Sequence, residues 1–185
     1  MTFSEALKAN TRDTHNDVDE TVMSKQPFAS HENYGKFLQA QHEFHETLRP
    51  MFADKTLNES LAGLAERGRA DRVIHDMKDL NVEALTDAPA RPVVDGCERL
   101  GWIYCAEGSN VGAAILYRHA GKIELDEEKG ASHLAAHEDG RMRHWRAFKD
   151  QLDELSLTDD EKAEALKGAD NAFAYFKSVL DVAFK

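Results

Sequence analysis

The chain is predicted to be all-α, a single domain of about seven helices spanning residues 1–185. Three observations carry this prediction. Apolar residues recur at spacings of three and four along nearly the whole length. No segment alternates with the period of two that a half-buried strand requires. Two Thr-x-x-Glu stretches, Thr2-Phe3-Ser4-Glu5 and Thr158-Asp159-Asp160-Glu161, have the form of capping boxes that open helices. At 185 residues, 42% hydrophobic and 31% charged, the chain can bury a substantial core and is too apolar for disorder.

The elements follow in order. The first capping box opens a helix with Leu7, Thr11, His15, Val18 and Val22 on one face. Ser30 and Pro50 bracket a second helix carrying Tyr34, Leu38, Gln41, His45 and Leu48, with Pro50 placed where continuation is costly. Leu57, Leu61 and Leu64 mark a short third helix that ends near Gly68, and Val73, Ile74, Met77 and Leu80 mark a fourth. DAPARP (87–92) has the composition of a linker. A long apolar helix is expected over 93–119, followed by an acidic loop (121–132). The sixth helix carries Met142, Trp145, Phe148, Leu152 and Leu155. The second capping box opens the last, with Leu166, Phe173, Phe176, Val179 and Leu180.

The net charge of −11 argues against nucleic acid or an anionic membrane surface as the main partner, but leaves room for a small anionic ligand held by local cations. No apolar stretch is long enough to span a bilayer, and the first residues lack a secretory leader pattern. Cys97 and Cys105 lie two turns apart on one helix and cannot reach each other, so both are expected as reduced thiols in a cytoplasmic protein.

Two features ask for a chemical reason. His15 stands within an apolar stripe, where a buried imidazole must find a partner. It is either a core histidine bonded to a carbonyl or an axial ligand to haem iron, and spacing alone favours the first. Lys8, two turns earlier, is a solvated lysine or a cation that pairs with a carboxylate of the ligand His15 holds. The second feature is YCAEGSNVGAAIL (104–116), which places Gly108 and Gly112 inside a helix, each costing about 1 kcal/mol relative to Ala. Such a strip of bare backbone suits helix–helix contact through small residues, or the close approach of a planar cofactor. Ser109 and Asn110 add polar groups where a core helix would prefer Leu.

Three stretches together resemble the compact bacterial heme oxygenases. LKANTRDTHNDVD (7–19) is similar to the family's proximal helix, with its Lys, Thr and ligand His. YGKFLQAQHEFH (34–45) is similar to the pattern Y-x-x-F-L-x-x-Q-x-x-x-H. LGWIYCAEGSNVGAAIL (100–116) is similar to the distal pattern Y-x-x-E-G-S-x-x-G-A. The resemblance covers most of the chain. It implies a helical bundle with haem between a proximal and a distal helix, and oxygen-dependent cleavage of haem to biliverdin, of the IXα isomer, with release of iron and carbon monoxide.

Haem is then both cofactor and substrate, together with dioxygen and electrons from an external ferredoxin or NADPH-dependent reductase. His15 would be the iron ligand. Gly108 and Gly112 would form the distal floor, with Ser109 and Asn110 near the bound dioxygen. Lys8 and Tyr104 would contact the propionates or fix the in-plane orientation. Gln41, His45 and Arg69 would belong to a distal hydrogen-bond network through ordered waters, which delivers protons. Glu107 is expected as a structural ion pair and does not take the role of the distal Asp of mammalian-type members. Basic residues of 141–149 are further candidates to meet propionates. The expected working unit is a monomer.

The rival reading is a non-catalytic haem carrier or sensor on the same scaffold. A carboxylate-bridged di-iron protein would need paired Glu-x-x-His motifs, which are missing. A zinc site at His133 and His137 lacks a metalloprotease motif, so these are expected as surface histidines.

Overall fold

A computed structural model describes residues 1–185 as seven α-helices and two 3₁₀ turns, with no strand. Helix α1 (Phe3–Ser24) opens on the expected capping box. Glu5 N–H donates to the Thr2 hydroxyl, and the Glu5 carboxylate accepts from Thr2 N–H. It buries Leu7, Thr11, Val18 and Val22. Helix α2 (His31–Phe52) is capped by Ser30 and buries Tyr34, Phe37, Leu38, Phe44 and Leu48.

Pro50 does not end α2, which runs two residues further. So near the C-terminus the proline removes one ladder bond, and burial of Met51 and Phe52 (3% and 5% exposed) offsets that loss. Helix α3 (Lys55–Ser60), capped by Asp54, is shorter than expected. Leu61 leaves the helix in extended backbone but is still fully buried, and the chain reaches the 3₁₀ turn Ala65–Arg67 through Gly63 at φ +78°.

Helix α4 (Ala70–Asp79) buries Val73 and Met77. Residues 80–97 hold no regular structure, a longer irregular segment than DAPARP alone. Two contacts strap it over α2: Gln39 Nε2 donates to the Glu83 carbonyl at 2.8 Å, and Arg91 Nε donates to Glu43 Oε2 at 2.7 Å. Helix α5 (Glu98–Gly121) therefore begins five residues later than its apolar pattern suggests. Gly96 at φ +58° breaks the helix, and Val93 is exposed. After the second 3₁₀ turn (Ser132–Leu134) come α6 (Arg141–Asp153) and α7 (Asp159–Ala183), the latter on the Thr158 capping box.

Helix α7 is the spine of the molecule and packs against α1, α2 and, most extensively, α5. Its crossing with α5 demands glycine. A Cβ on Gly101 would collide with the carbonyl of Ala165, and one on Gly168 with the carbonyl of Glu98. Helices α1 and α5 both rest on α7 and both touch α6, yet hardly touch each other, and the candidate cleft is the region between them. Cys97 and Cys105 are free thiols, Cys105 buried and Cys97 half-buried.

Candidate functional site

One wall of the cleft is α1. The spacing of Ser4, Lys8, Thr11 and His15 keeps them on one side of this helix. His15 is not buried as its apolar neighbours led one to expect. Its side chain is 51% exposed, although Thr11 before it and Val18 and Val22 after it on the same face are buried. The ring lies edge-on to Phe173 of α7, with centroids 6.1 Å apart. Its Nδ1 is 3.4 Å from Asp19 Oδ2 one turn later, which leaves Nε2 as the nitrogen presented away from the carboxylate. Burial raises the Asp19 carboxyl above its ordinary range, opposed by His15.

Lys8 is exposed, one turn after Ser4. Ser4 donates twice to Asp153 of α6, from N–H and Oγ, each at 2.7 Å. Tyr104 of α5 lies in the field of the same Asp153. Burial first, then Cys105 and Asp153, push its phenol up to about 12, so it stays protonated as a donor. Its ring packs against Trp145 of α6 at 5.3 Å. Ser4 of α1 and Tyr104 of α5 thus both relate to Asp153, and Lys8 stands one turn from Ser4 on α1.

The other wall is the middle of α5. Gly108 and Gly112 are one turn apart and share a face. A Cβ on Gly112 would meet nothing within 4 Å, whereas one on Gly108 would touch the Trp145 ring at 3.5 Å. Ser109 is exposed, and its hydroxyl donates back to the Ala106 carbonyl at 2.6 Å. Asn110 is buried, and its carbonyl accepts from Arg141 Nη1 at 2.8 Å.

Between α2 and the start of α4 lies a polar cluster. His45 is 6% exposed. Burial, then the charges of His133, Arg69 and His42, push its pKa down to about 3, so the ring is neutral. Gln41, one turn earlier on α2, is half-buried. Arg69 donates through Nη1 to the carbonyls of His133 (2.6 Å) and Ala135 (2.9 Å), and burial pushes its guanidinium down to about 10. His45 and Arg69 line a cavity of about 150 Å³ with Arg49, Phe52, Gly68 and Asp71, roomy and polar enough for ordered water.

Three features of this region escape sequence reasoning. His133 is buried, not a surface residue. Its Nδ1 lies 2.7 Å from Asp76 Oδ2, and the Asp76 carboxylate also accepts from Ser132 and from His133 N–H. Glu107, 2% exposed, pairs with Arg67 at 2.8 Å, which fits the structural role expected for it but names a partner no spacing could. Trp145, expected only as an apolar core residue, stands against both Tyr104 and Gly108.

The fold and the cleft define a class: a helical protein with an exposed, carboxylate-supported imidazole on one wall and a strip of helix without side chains on the other. Residues 1–182 match the family model described as heme oxygenase. The chain is 36% identical to heme oxygenase PigA of Pseudomonas aeruginosa over 98% of its own length and 92% of the relative's. It is similar to the crystal structure of the NO- and CO-bound heme oxygenase from Neisseria meningitidis, with a TM-score of 0.97 and 47% identity, covering all of this chain and 92% of that one. Heme oxygenase 2 from Chlamydomonas reinhardtii shares the fold, with a TM-score of 0.77 at 17% identity over 98% and 97% of the two chains. The chain belongs to the heme oxygenase family. It is an oxidoreductase that cleaves haem to biliverdin with dioxygen.

Proposed function

We propose that residues 1–185 act as one catalytic domain and that haem binds in the cleft between α1 and α5, with His15 as its iron ligand. The observation that carries this reading is the pairing of two exposed features. One is an imidazole whose Nδ1 is engaged by Asp19, and the other a glycine face on α5 with open space over Gly112. A ligating histidine needs its second nitrogen held by a carboxylate or carbonyl, and Asp19 fills that place. A flat macrocycle needs a floor without side chains, and Gly108–Gly112 supply one.

Bound haem supplies the redox chemistry, and the residues of the chain direct it. His15 would hold the iron through the ring nitrogen turned away from Asp19. Gly108 and Gly112 exclude side chains from the reacting face, with Ser109 and Asn110 bordering it. Ser109 turns its hydroxyl back to the helix and so adds no bulk. His45 and Arg69 hold waters in the cavity between α2 and the start of α4, with Gln41 one turn away on α2, and the three pass protons through ordered water. His45, neutral at pH 7, can accept a proton at one ring nitrogen and donate from the other. Lys8 and Tyr104 grip the propionates, Lys8 as a cation and Tyr104 as a phenol donor, and so set the ring's orientation toward the IXα product.

Electrons come from a ferredoxin or an NADPH-dependent reductase. The exposed Arg143 and Arg146 of α6 offer an acidic donor a basic docking face on an otherwise acidic molecule. Two free cysteines fit a reducing cytoplasmic compartment, and a monomer is the proposed working unit.

The test is hemin titration followed by reductant-driven turnover with a catalase control. One hemin should bind per chain, and addition of ascorbate should yield biliverdin. His15→Ala should abolish bilin formation; wild-type rates in that variant would remove His15 from its role. Binding without any bilin in the native chain would make it a carrier.

A further inference from the structure

A second set of ligating side chains lies where the chain turns into α6. His137 and His144 stack face to face, with ring centroids 3.9 Å apart and planes 12° from parallel. Asp139 Oδ2 is 3.5 Å from His137 Nδ1. One donor atom from each of the three lies within 4.8 Å of the others. Gly140, at φ +85°, makes the turn that folds residues 137–139 against the start of α6. Behind His144 stands Glu107, with Oε2 3.8 Å from His144 Nε2 and a buried Oε1 that has no hydrogen-bond partner.

We propose that His137, Asp139 and His144 form a binding site for a divalent first-row transition-metal ion and receive the ferrous iron that haem cleavage releases.

The donor set is two imidazoles and one carboxylate, which suits iron(II), cobalt(II), nickel(II) and zinc and is poor for calcium or magnesium. Stacked rings this close would repel if both were protonated. As neutral ligands they would share one cation, at the roughly 2.1 Å usual for imidazole nitrogen, with His137 Nδ1 already accepting from Asp139 N–H at 3.2 Å. Asp139 and Glu107 bring two carboxylates beside the rings, and Arg67, whose charge reaches His144, is itself paired with Glu107. The other comparable cluster, His75, Asp76 and Asp79, is weaker. Asp76 already accepts four hydrogen bonds from Ser132 and His133, and Asp79 accepts one from Gly130. The assignment to product iron rests on the haem-cleaving reading. The metal site itself does not.

The experiment therefore has two arms. In the first, Co²⁺ is titrated into hemin-loaded protein, so that the haem ligand is already engaged, and followed by calorimetry. The expected result is one ion per chain, bound at least about tenfold more weakly by His137→Ala and Asp139→Asn. Both changes fall on a half-exposed or exposed loop residue, and circular dichroism confirms the fold. Equal affinity in the native chain and both variants would overturn the site. In the second arm, ferrous iron released during turnover is trapped by an added chelator. Both variants should form biliverdin at the native rate but surrender iron faster. Identical trapping rates would overturn the assignment to product iron, whereas a failure to form biliverdin at all would strike the haem-cleaving reading and leave the Co²⁺ result standing.

Discussion

Gly101 and Gly112 stand three turns apart on α5, and the space around each gives them opposite duties. Open space surrounds Gly112, so Gly112→Leu should leave the fold intact, with a melting temperature within a few degrees of native, while cutting biliverdin formation at least about tenfold as the side chain enters the proposed haem site. Native turnover in Gly112→Leu would refute the steric account of the distal floor. Arg67→Ala tests a different kind of residue. Removing the guanidinium strands Glu107, which burial already pushes above its ordinary range, and breaking a buried pair costs about 3–5 kcal/mol. Urea unfolding should show a loss of that size, partly recovered when Glu107→Gln is added. At this scale the sequence discloses identities better than surroundings. The glycine pair and the Lys8–His15 spacing are visible along one helix. The Arg67–Glu107 and Asp76–His133 pairs join residues 40 and 57 positions apart and leave no local pattern. His15 lies on the expected helix but not at the expected depth, since an apolar stripe does not show which of its positions the packing partners leave uncovered.

Helices are legible when their ends are written locally, and both capping boxes open helices where their Thr-x-x-Glu pattern places them. The departures fall where tertiary contact overrides a local rule. Buried Met51 and Phe52 carry α2 past Pro50, and the start of α5 is set by the turn at Gly96, not by its run of apolar residues. The crossing of α5 and α7 is illegible for a related reason: Gly101 and Gly168 become a pair only when their helices meet. Each is opposed by backbone atoms, which cannot rotate away as a side chain could. Gly168→Ala should therefore cost more than the ~1–3 kcal/mol typical of overpacking, or prevent folding altogether. Gly121, at the end of α5 with nothing within 4 Å of an added Cβ, is the control. Gly121→Ala should be neutral or stabilising by up to about 1 kcal/mol. Equal melting temperatures for the two variants would mean that the helices can move apart without cost.

At the scale of the whole molecule, acid should act on stability through two opposed influences. The charge of −11 repels itself at neutral pH, and that repulsion falls as pH approaches the isoelectric point near 5.2. Against this works His45, whose folded pKa of about 3 lies far below the value of about 6.5 it regains on unfolding. Between those values the unfolded chain binds the extra proton. Stability is lost as pH falls, with a slope approaching 1.4 kcal/mol per pH unit. His144, pushed down to about 4 by burial and then Arg67, acts in the same direction. So does Asp76. Burial raises its pKa, but the hydrogen bonds from His133 and Ser132 outweigh that and hold it low, so its contribution disappears only as pH falls through that depressed value. Glu107 opposes them, since a carboxyl raised by burial is relieved by protonation. A single acid-unfolding curve sums all of these, whereas the difference between two curves isolates one. His45→Gln should cost stability at pH 8, where the native imidazole packs neutral. From pH 6 to pH 4 the gap to the native chain should then narrow by roughly 1.4 kcal/mol per unit, because only the native chain carries a ring that must be kept unprotonated. The general charge repulsion cancels in this comparison. Parallel curves for the two proteins over that range would show that the His45 ring titrates freely in the folded state, and the neutral proton relay proposed at His45 would fall with it.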